Sequence, residues 1–383
     1  MTDEIRPFTV AIPEDDLTDL RQRLQRTRWP ERETVNGWEQ GLPLAYAREL
    51  VDYWAGKYDW RRCEAELNRW PQYITAIDGI DVHFIHRPSP EPGALPLVLT
   101  HGWPGSVLEF RKIINVLADP AAYGGDPRDA FHVVVPSLPG YGFSGKPSKP
   151  GTTAAKIGSM WGQLMARLGY ERYVAQGGDW GSMITQAMAL SETQHCAGIH
   201  ITLPVIQPDP DTMGELTPAE QAALEAMAFY SDHDSGYSKQ QSTRPQTLGY
   251  ALADSPAGQM AWVVEKYYAW TDCERDGVRH PEHALSRDEL LDTVMLYWLT
   301  NAAASSARLY WESFTRLDLS PVAMPTGCTI FPKEILRPSR RWTEKRFSNL
   351  MFWNEPERGG HFAALEQPDI LAADIRDCFR DLR

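Results

Sequence analysis

The chain has 383 residues and a formal charge of −13, with 43% hydrophobic and 23% charged residues. This composition is ordinary for a globular protein of one or two domains. An acidic balance with no basic block argues against a nucleic-acid partner, and no run approaches the roughly 18 apolar residues of a membrane span.

The start, Met1-Thr2-Asp3-Glu4-Ile5-Arg6, lacks the basic and apolar regions of a signal peptide, so a soluble cytoplasmic protein is expected. Residues 1–70 read as a helical layer. Pro13-Glu14-Asp15 opens a helix with Leu17, Leu20 and Leu24 on one face, and Arg28-Trp29-Pro30 ends it. A second helix is expected from Leu44 to Tyr58 and a third from Arg61 to Leu67. Trp29, Trp38, Trp54 and Trp60 are expected to serve packing. Tyr73–Ile77 and Ile80–Ile85 flank Asp78-Gly79, the signature of a β-hairpin.

Three short apolar runs follow, 97–100, 131–135 and 173–175, each leading through a loop to a helical stretch at 107–118, 152–168 and 183–191. Strands alternating with helices predict a parallel, doubly wound sheet, whose sites lie at the C-terminal strand ends. A further strand is expected at 198–203. Residues 206–316 then hold helical segments at 218–229, 257–270, 288–301 and 303–314 and no clear strand, which reads as a helical insertion. The α/β pattern resumes with a strand at 326–331 and a last helix at 363–381. The expected organisation is an N-terminal segment (1–90), a core in two parts (91–205 and 317–383) and a cap (206–316).

Five scattered cysteines, an odd number, argue against a disulfide framework. No Cys or His cluster has metal-ligand spacing, so no metal is expected. His83 and His86 would face opposite ways on a strand, and His280 and His283 flank a proline. Solvated positions are expected for these and for His233. Fourteen tryptophans point to a large aromatic core or an apolar pocket.

The chemistry concentrates at Gly177-Gly178-Asp179-Trp180-Gly181, where an expected strand turns into a helix. The pattern is that of a nucleophile elbow, G-x-S-x-G, with Asp in the place of Ser. A carboxylate raised on such a turn can attack carbon and form an ester. Glu334 lies beyond the 326–331 strand and His361 in the loop Arg358-Gly359-Gly360-His361. Nucleophile, acid and His then stand in the chain order of an α/β-hydrolase triad. His101-Gly102-Trp103-Pro104 follows the first parallel strand, so the backbone N–H groups of Trp103 and Trp180 are expected to share an oxyanion site.

His-Gly-Trp-Pro-Gly-Ser at 101–106, Gly-Gly-Asp-Trp-Gly-Ser at 177–182 and Arg-Gly-Gly-His-Phe-Ala-Ala-Leu-Glu at 358–366 resemble the epoxide hydrolases of the α/β-hydrolase superfamily. The likeness is greatest to the microsomal-type branch and covers nearly the whole chain, without that branch's membrane anchor. It implies an α/β-hydrolase fold with a helical cap and an N-terminal layer, a cofactor-free enzyme, and an epoxide substrate of apolar or aromatic character. It also implies a pair of cap tyrosines that protonate the epoxide oxygen. Ser235-Gly236-Tyr237-Ser238 and Ala307-Arg308-Leu309-Tyr310-Trp311 resemble the two tyrosine segments, so those roles pass to Tyr237 and Tyr310, with Tyr250, Tyr268 and Tyr297 as rivals. The acid in related enzymes can follow an earlier strand. Here that strand is followed by no acid before Asp209, which favours Glu334. Trp103, Trp180 and Phe362 are expected to line the pocket. A haloalkane dehalogenase, with the same Asp and His, is the alternative. A homodimer is compatible with the sequence, which leaves the oligomeric state open.

Overall fold

The computed structural model describes residues 4–383. The chain opens with β1 (Arg6–Phe8), α1 (Glu14–Gln25), α2 (Leu44–Gly56) and α3 (Trp60–Leu67), followed by the hairpin β2 (Gln72–Ile77) and β3 (Ile80–Arg87). Asp78 and Gly79 both have positive φ (50° and 83°), as the tight hairpin turn requires. Then come β4 (Leu95–Thr100), α4 (Ile114–Ala118), β5 (Phe131–Pro136), α5 (Ala154–Arg167), β6 (Tyr173–Gly177), α6 (Asp179–Ser191) and β7 (Cys196–Ile201).

These strands belong to one nine-stranded sheet, completed by β10 (Thr326–Thr329) and β11 (Leu350–Asn354) after the two short strands described below; its order is β1-β2-β3-β5-β4-β6-β7-β10-β11. The first three strands pair antiparallel, and β5, β4, β6, β7, β10 and β11 run parallel. The central strands are apolar on both faces because helices cover both. Leu97, Val98 and Leu99 of β4 and Val133, Val134 and Val135 of β5 are all fully buried.

Between β7 and β10 lie six helices, α7 (Pro218–Phe229), α8 (Gly236–Thr243), α9 (Pro245–Asp254), α10 (Pro256–Trp270), α11 (Arg287–Leu299) and α12 (Ala303–Ser313). The chain closes with α13 (Arg340–Arg346), α14 (Ala363–Glu366) and α15 (Pro368–Phe379). The N-terminal layer braces two of the inserted helices. Trp38 stacks on Tyr268 at 3.9 Å, and the Trp54 indole N–H donates to the Met295 sulfur at 3.2 Å. The buried Asp292 carboxylate accepts from Tyr58, Arg62 and Arg111 at 2.6–2.7 Å. A buried carboxylate held this way loses several kcal/mol, about 3–5, if one cation is removed.

Several expectations need correction. The stretch 107–118 is a 3-10 turn (Val107–Phe110) followed by the short α4, because the Ser106 hydroxyl takes the Leu108 N–H at 3.2 Å and closes a tighter turn. The last helix divides before Pro368, which has no N–H and drives Gln367 to φ −133°. The insertion is not free of strands. A two-residue pairing, β8 (Glu274–Arg275) with β9 (Val278–Arg279), closes on Asp276-Gly277, the same turn signal as Asp78-Gly79 on strands too short to show periodicity. His83 is not solvated. It sits in β3 between two partner strands, fully buried, with its ring nitrogens 2.9 Å from Ser137 Oγ and 3.0 Å from Gln72 Oε1. Burial pushes its pKa down to about 3, so it stays neutral. Among the described residues no helix is long and apolar enough to cross a membrane.

Candidate active site

The C-terminal ends of β4 and β6 bring two loops face to face. At the end of β6 the chain reverses through Gly177-Gly178 into α6, and Asp179 takes φ +50°. That is a strained conformation for a residue with a side chain, of the kind retained at functional sites. The turn admits only glycines around it. A Cβ on Gly177 would lie 2.2 Å from the Gly181 carbonyl oxygen, and one on Gly181 1.9 Å from that of Thr100.

The elbow aims the Asp179 carboxylate at two partners. The Trp103 N–H donates to Oδ1 at 2.7 Å, and His361 Nε2 lies 3.3 Å from Oδ2. Trp180 is the second residue of α6, where N–H groups have no carbonyl one turn earlier within the helix to bond. His101, by contrast, is structural. Its Nε2 accepts the Leu138 N–H at 3.2 Å, and burial holds its pKa down at about 4.

His361 and Glu334 are 27 residues apart, and a parallel bridge between Lys333 and Gly360 joins their loops. His361 Nδ1 then lies 2.5 Å from Glu334 Oε1, which also accepts the Ile335 N–H at 2.7 Å. Both side chains are buried. Burial alone would push the His361 pKa down. The carboxylates of Glu334 and Asp179 override it and hold the pKa well above the ordinary value. Asp209, the first acid after β7, pairs with Lys345 at 2.7 Å.

Above the carboxylate opens a cleft with an overwhelmingly apolar wall, including Leu203, Phe314, Leu317 and Leu336. Tyr237 and Tyr310 stand in that wall with Asp179 and Trp180. Their rings are 5.8 Å apart, edge to face, and Tyr310 meets Trp180 edge-on at 4.9 Å. The buried Tyr310 hydroxyl makes no complete hydrogen bond in the protein. Burial, reinforced by neighbouring tyrosines and Asp179, pushes the pKa of both phenols well above the ordinary value. The three rival tyrosines are elsewhere: Tyr250 is exposed, Tyr268 is stacked on Trp38, and Tyr297 donates to the Gly105 carbonyl at 2.8 Å.

The comparisons with known proteins agree with this architecture. Residues 5–110 match the family described as the epoxide hydrolase N terminus, and residues 96–244 match the alpha/beta hydrolase fold. A candidate epoxide hydrolase of Stigmatella aurantiaca is 53% identical over 380 residues, 99% of this chain and 86% of that protein. Epoxide hydrolase 1 of Sus scrofa is 37% identical, over 98% of this chain and 88% of that protein.

The chain belongs to the epoxide hydrolase family.

Solved structures of that family superpose over nearly all of it. The Aspergillus niger epoxide hydrolase has TM-score 0.89 and 31% identity, covering 99% of this chain and 97% of that one. The juvenile hormone epoxide hydrolase of Bombyx mori has TM-score 0.87 and 31% identity, covering 100% and 96%. The fold is therefore the α/β-hydrolase fold, and the chain is an epoxide hydrolase.

Two expected pocket residues are engaged by other aromatic rings: Trp103 stacks on Tyr237 at 5.0 Å, and Phe362 stacks on Tyr267 at 4.1 Å. In both cases an aromatic partner on the insertion takes the ring face. Sequence reasoning missed Tyr230. Its hydroxyl is 3.2 Å from that of Tyr237 and lines the same cleft. The spacing carried a signal, since residues 230 and 237 lie two helical turns apart on one face. A π-helical turn at Tyr230–Asp234 interrupts the register, a feature frequent at functional sites.

Proposed function

We propose that this enzyme opens its epoxide by attack of Asp179 and releases a vicinal diol by hydrolysis of the resulting ester. One arrangement carries the reading: Glu334, His361 and Asp179 stand in hydrogen-bonding sequence beneath a cleft whose wall holds Tyr237 and Tyr310. The Trp103 N–H engages Oδ1, so Oδ2 is the attacking oxygen. As the carbon–oxygen bond of the ring breaks, a phenol of the Tyr237–Tyr310 pair protonates the leaving oxygen. Phenols whose pKa is raised stay protonated across the working pH range and are competent donors.

Esterification removes the negative charge of Asp179. The His361 pKa must then fall, because one of its two anionic neighbours is gone. His361 gives up its proton and becomes a base for a water molecule, while Glu334 fixes the tautomer and steadies the imidazolium that forms. The N–H groups of Trp103 and Trp180 receive the oxyanion. The apolar wall favours apolar or aromatic epoxides. The chain order and the insertion further support reading 206–316 as a cap over a core formed by 91–205 and 317–383, with 1–90 as its brace.

The test is a parallel assay of epoxides, read as diol, and haloalkanes, read as halide, on wild type and Asp179→Asn. Asparagine tolerates the left-handed backbone. Diol without halide, lost in the variant, is the expected result. Undiminished turnover in Asp179→Asn would remove the nucleophile from the scheme.

A further inference from the structure

Lys266 on α10 carries an ammonium group that the reaction scheme above leaves unused. Its side chain is only 6% exposed, although burying a charge is costly. Nζ pairs with Asp234 Oδ1 at 2.6 Å and with Glu265 Oε2 at 2.8 Å. The second Asp234 oxygen accepts the Trp270 indole N–H at 2.5 Å, which fixes the carboxylate against the cap. So held, the ammonium lies 4.7 Å from the centre of the Tyr237 ring and 5.3 Å from that of Trp270.

The other groups around Tyr237 favour its neutral form or are neutral themselves. Asp179 faces it from the elbow and Tyr310 from α12, and Tyr230 shares a hydrogen bond with it from the preceding turn. Trp103 stacks along the ring and Trp270 meets its edge. Asp234 and Glu265 pair with the lysine, and Asp234 also holds the Trp270 indole and adds its charge near Tyr230. Lys266 thus sets a positive charge against the face of this ring.

We propose that Lys266 is a positioning residue for ring opening, holding the Tyr237 ring and favouring negative charge on its oxygen. The inference rests on the reading of Tyr237 as a proton donor. Cations are drawn to the face of an aromatic ring. The attraction grows as the phenol gives up its proton and charge spreads into the ring, so it is stronger in the transition state than in the ground state. In the step itself, a bond forms between Asp179 Oδ2 and one epoxide carbon, that carbon's bond to oxygen breaks, and the oxygen takes the phenolic proton. The phenolate is left beneath the ammonium. The proton that His361 removes from water passes to solvent, and the phenolate is reprotonated from solvent. The sum is epoxide plus water to diol.

The test is single-turnover consumption of styrene oxide by excess enzyme, with ester hydrolysis followed separately. Wild type is compared with Lys266→Met, Lys266→Arg, Tyr237→Phe and the double variant Lys266→Met/Tyr237→Phe. Lys266→Met should slow epoxide loss about tenfold and leave ester hydrolysis unchanged, and Lys266→Arg should recover most of the rate. The high-pH limb of epoxide loss should move upward in Lys266→Met, since the phenol loses its counter-charge. In the Tyr237→Phe background the lysine change should have no further effect. An equal loss in both backgrounds, or no loss in either, would overturn the inference while leaving the role of Tyr237 intact. If Tyr237→Phe itself consumes epoxide at the wild-type rate, the proton-donor reading falls and the inference falls with it. Should Lys266→Met not fold, Lys266→Gln serves in the same comparisons.

Discussion

Gly102 offers a sharp test of how the Asp179 carboxylate is held. A Cβ built on Gly102 would lie 2.2 Å from Asp179 Oδ1 and 2.4 Å from its Cβ, whereas ordinary contact begins at 3.4 Å. In Gly102→Ala the Asp179 side chain must therefore retreat by about 1 Å, the scale of misplacement that can cost roughly 100-fold in rate. It cannot retreat and keep the 2.7 Å bond from the Trp103 N–H, because the φ of +50° at Asp179 leaves the elbow little freedom. Gly102 itself does not have positive φ, so alanine suits its backbone. The stability loss should stay within the roughly 1–3 kcal/mol of an overpacked site. The assay is kcat/KM for diol formation beside a thermal melt. The expected result is a folded protein with about 1% of wild-type activity. Gly181→Ala is the contrast. Its Cβ would meet the Thr100 backbone oxygen at 1.9 Å, which no side-chain rotation relieves, so folding rather than rate should suffer. A folded Gly102→Ala enzyme within about threefold of wild type would refute the argument.

Two further predictions follow from the buried carboxyls. Glu334→Gln keeps the shape of the His361 partner but removes its charge, so the His361 pKa should fall; ester formation should persist while ester hydrolysis slows by about 10³–10⁴, and intact-mass measurement should find the covalent ester accumulating. Glu109, in the 3-10 turn that follows the Trp103 loop, has its pKa pushed up to about 8 by burial, with the Asp179 charge adding to the shift. Its folded-state value exceeds its unfolded one, so the protonated form favours the fold: this contribution is complete below about pH 4.5 and is lost as pH rises towards 8. At about 1.4 kcal/mol per pH unit, Glu109→Gln should melt with wild type near pH 4 and above it at pH 8.5, by up to about 5 kcal/mol and less where water reaches the carboxyl. Identical melts at both pH values would show that the Glu109 proton is not linked to folding.

The sequence by itself determined the alternation of strands and helices, the hairpin at Asp78-Gly79, the helical insertion, and the elbow. Each rests on short-range physics: periodicity, turn chemistry, and glycines where a Cβ finds no room. Motif likeness carried the site further, because Asp179, Glu334 and His361 keep a recognisable chain order whatever distance separates them. Only the tertiary structure decided which atoms meet. The Lys333–Gly360 bridge brings Glu334 to His361, and local pattern has no means of encoding that contact. The partners of the aromatic rings escaped for the same reason. Trp103 and Phe362 stack on Tyr237 and Tyr267 of the inserted helices, contacts no local pattern announces. Tyr230 and Lys266, unremarkable in an acidic chain with fifteen tyrosines, gain their places only when α10 packs against the π-helical turn and sets an ammonium over a phenol. A side chain's chemistry is legible in its type and its neighbours in sequence. The groups that tune it come from distant parts of the chain, and packing alone brings them there.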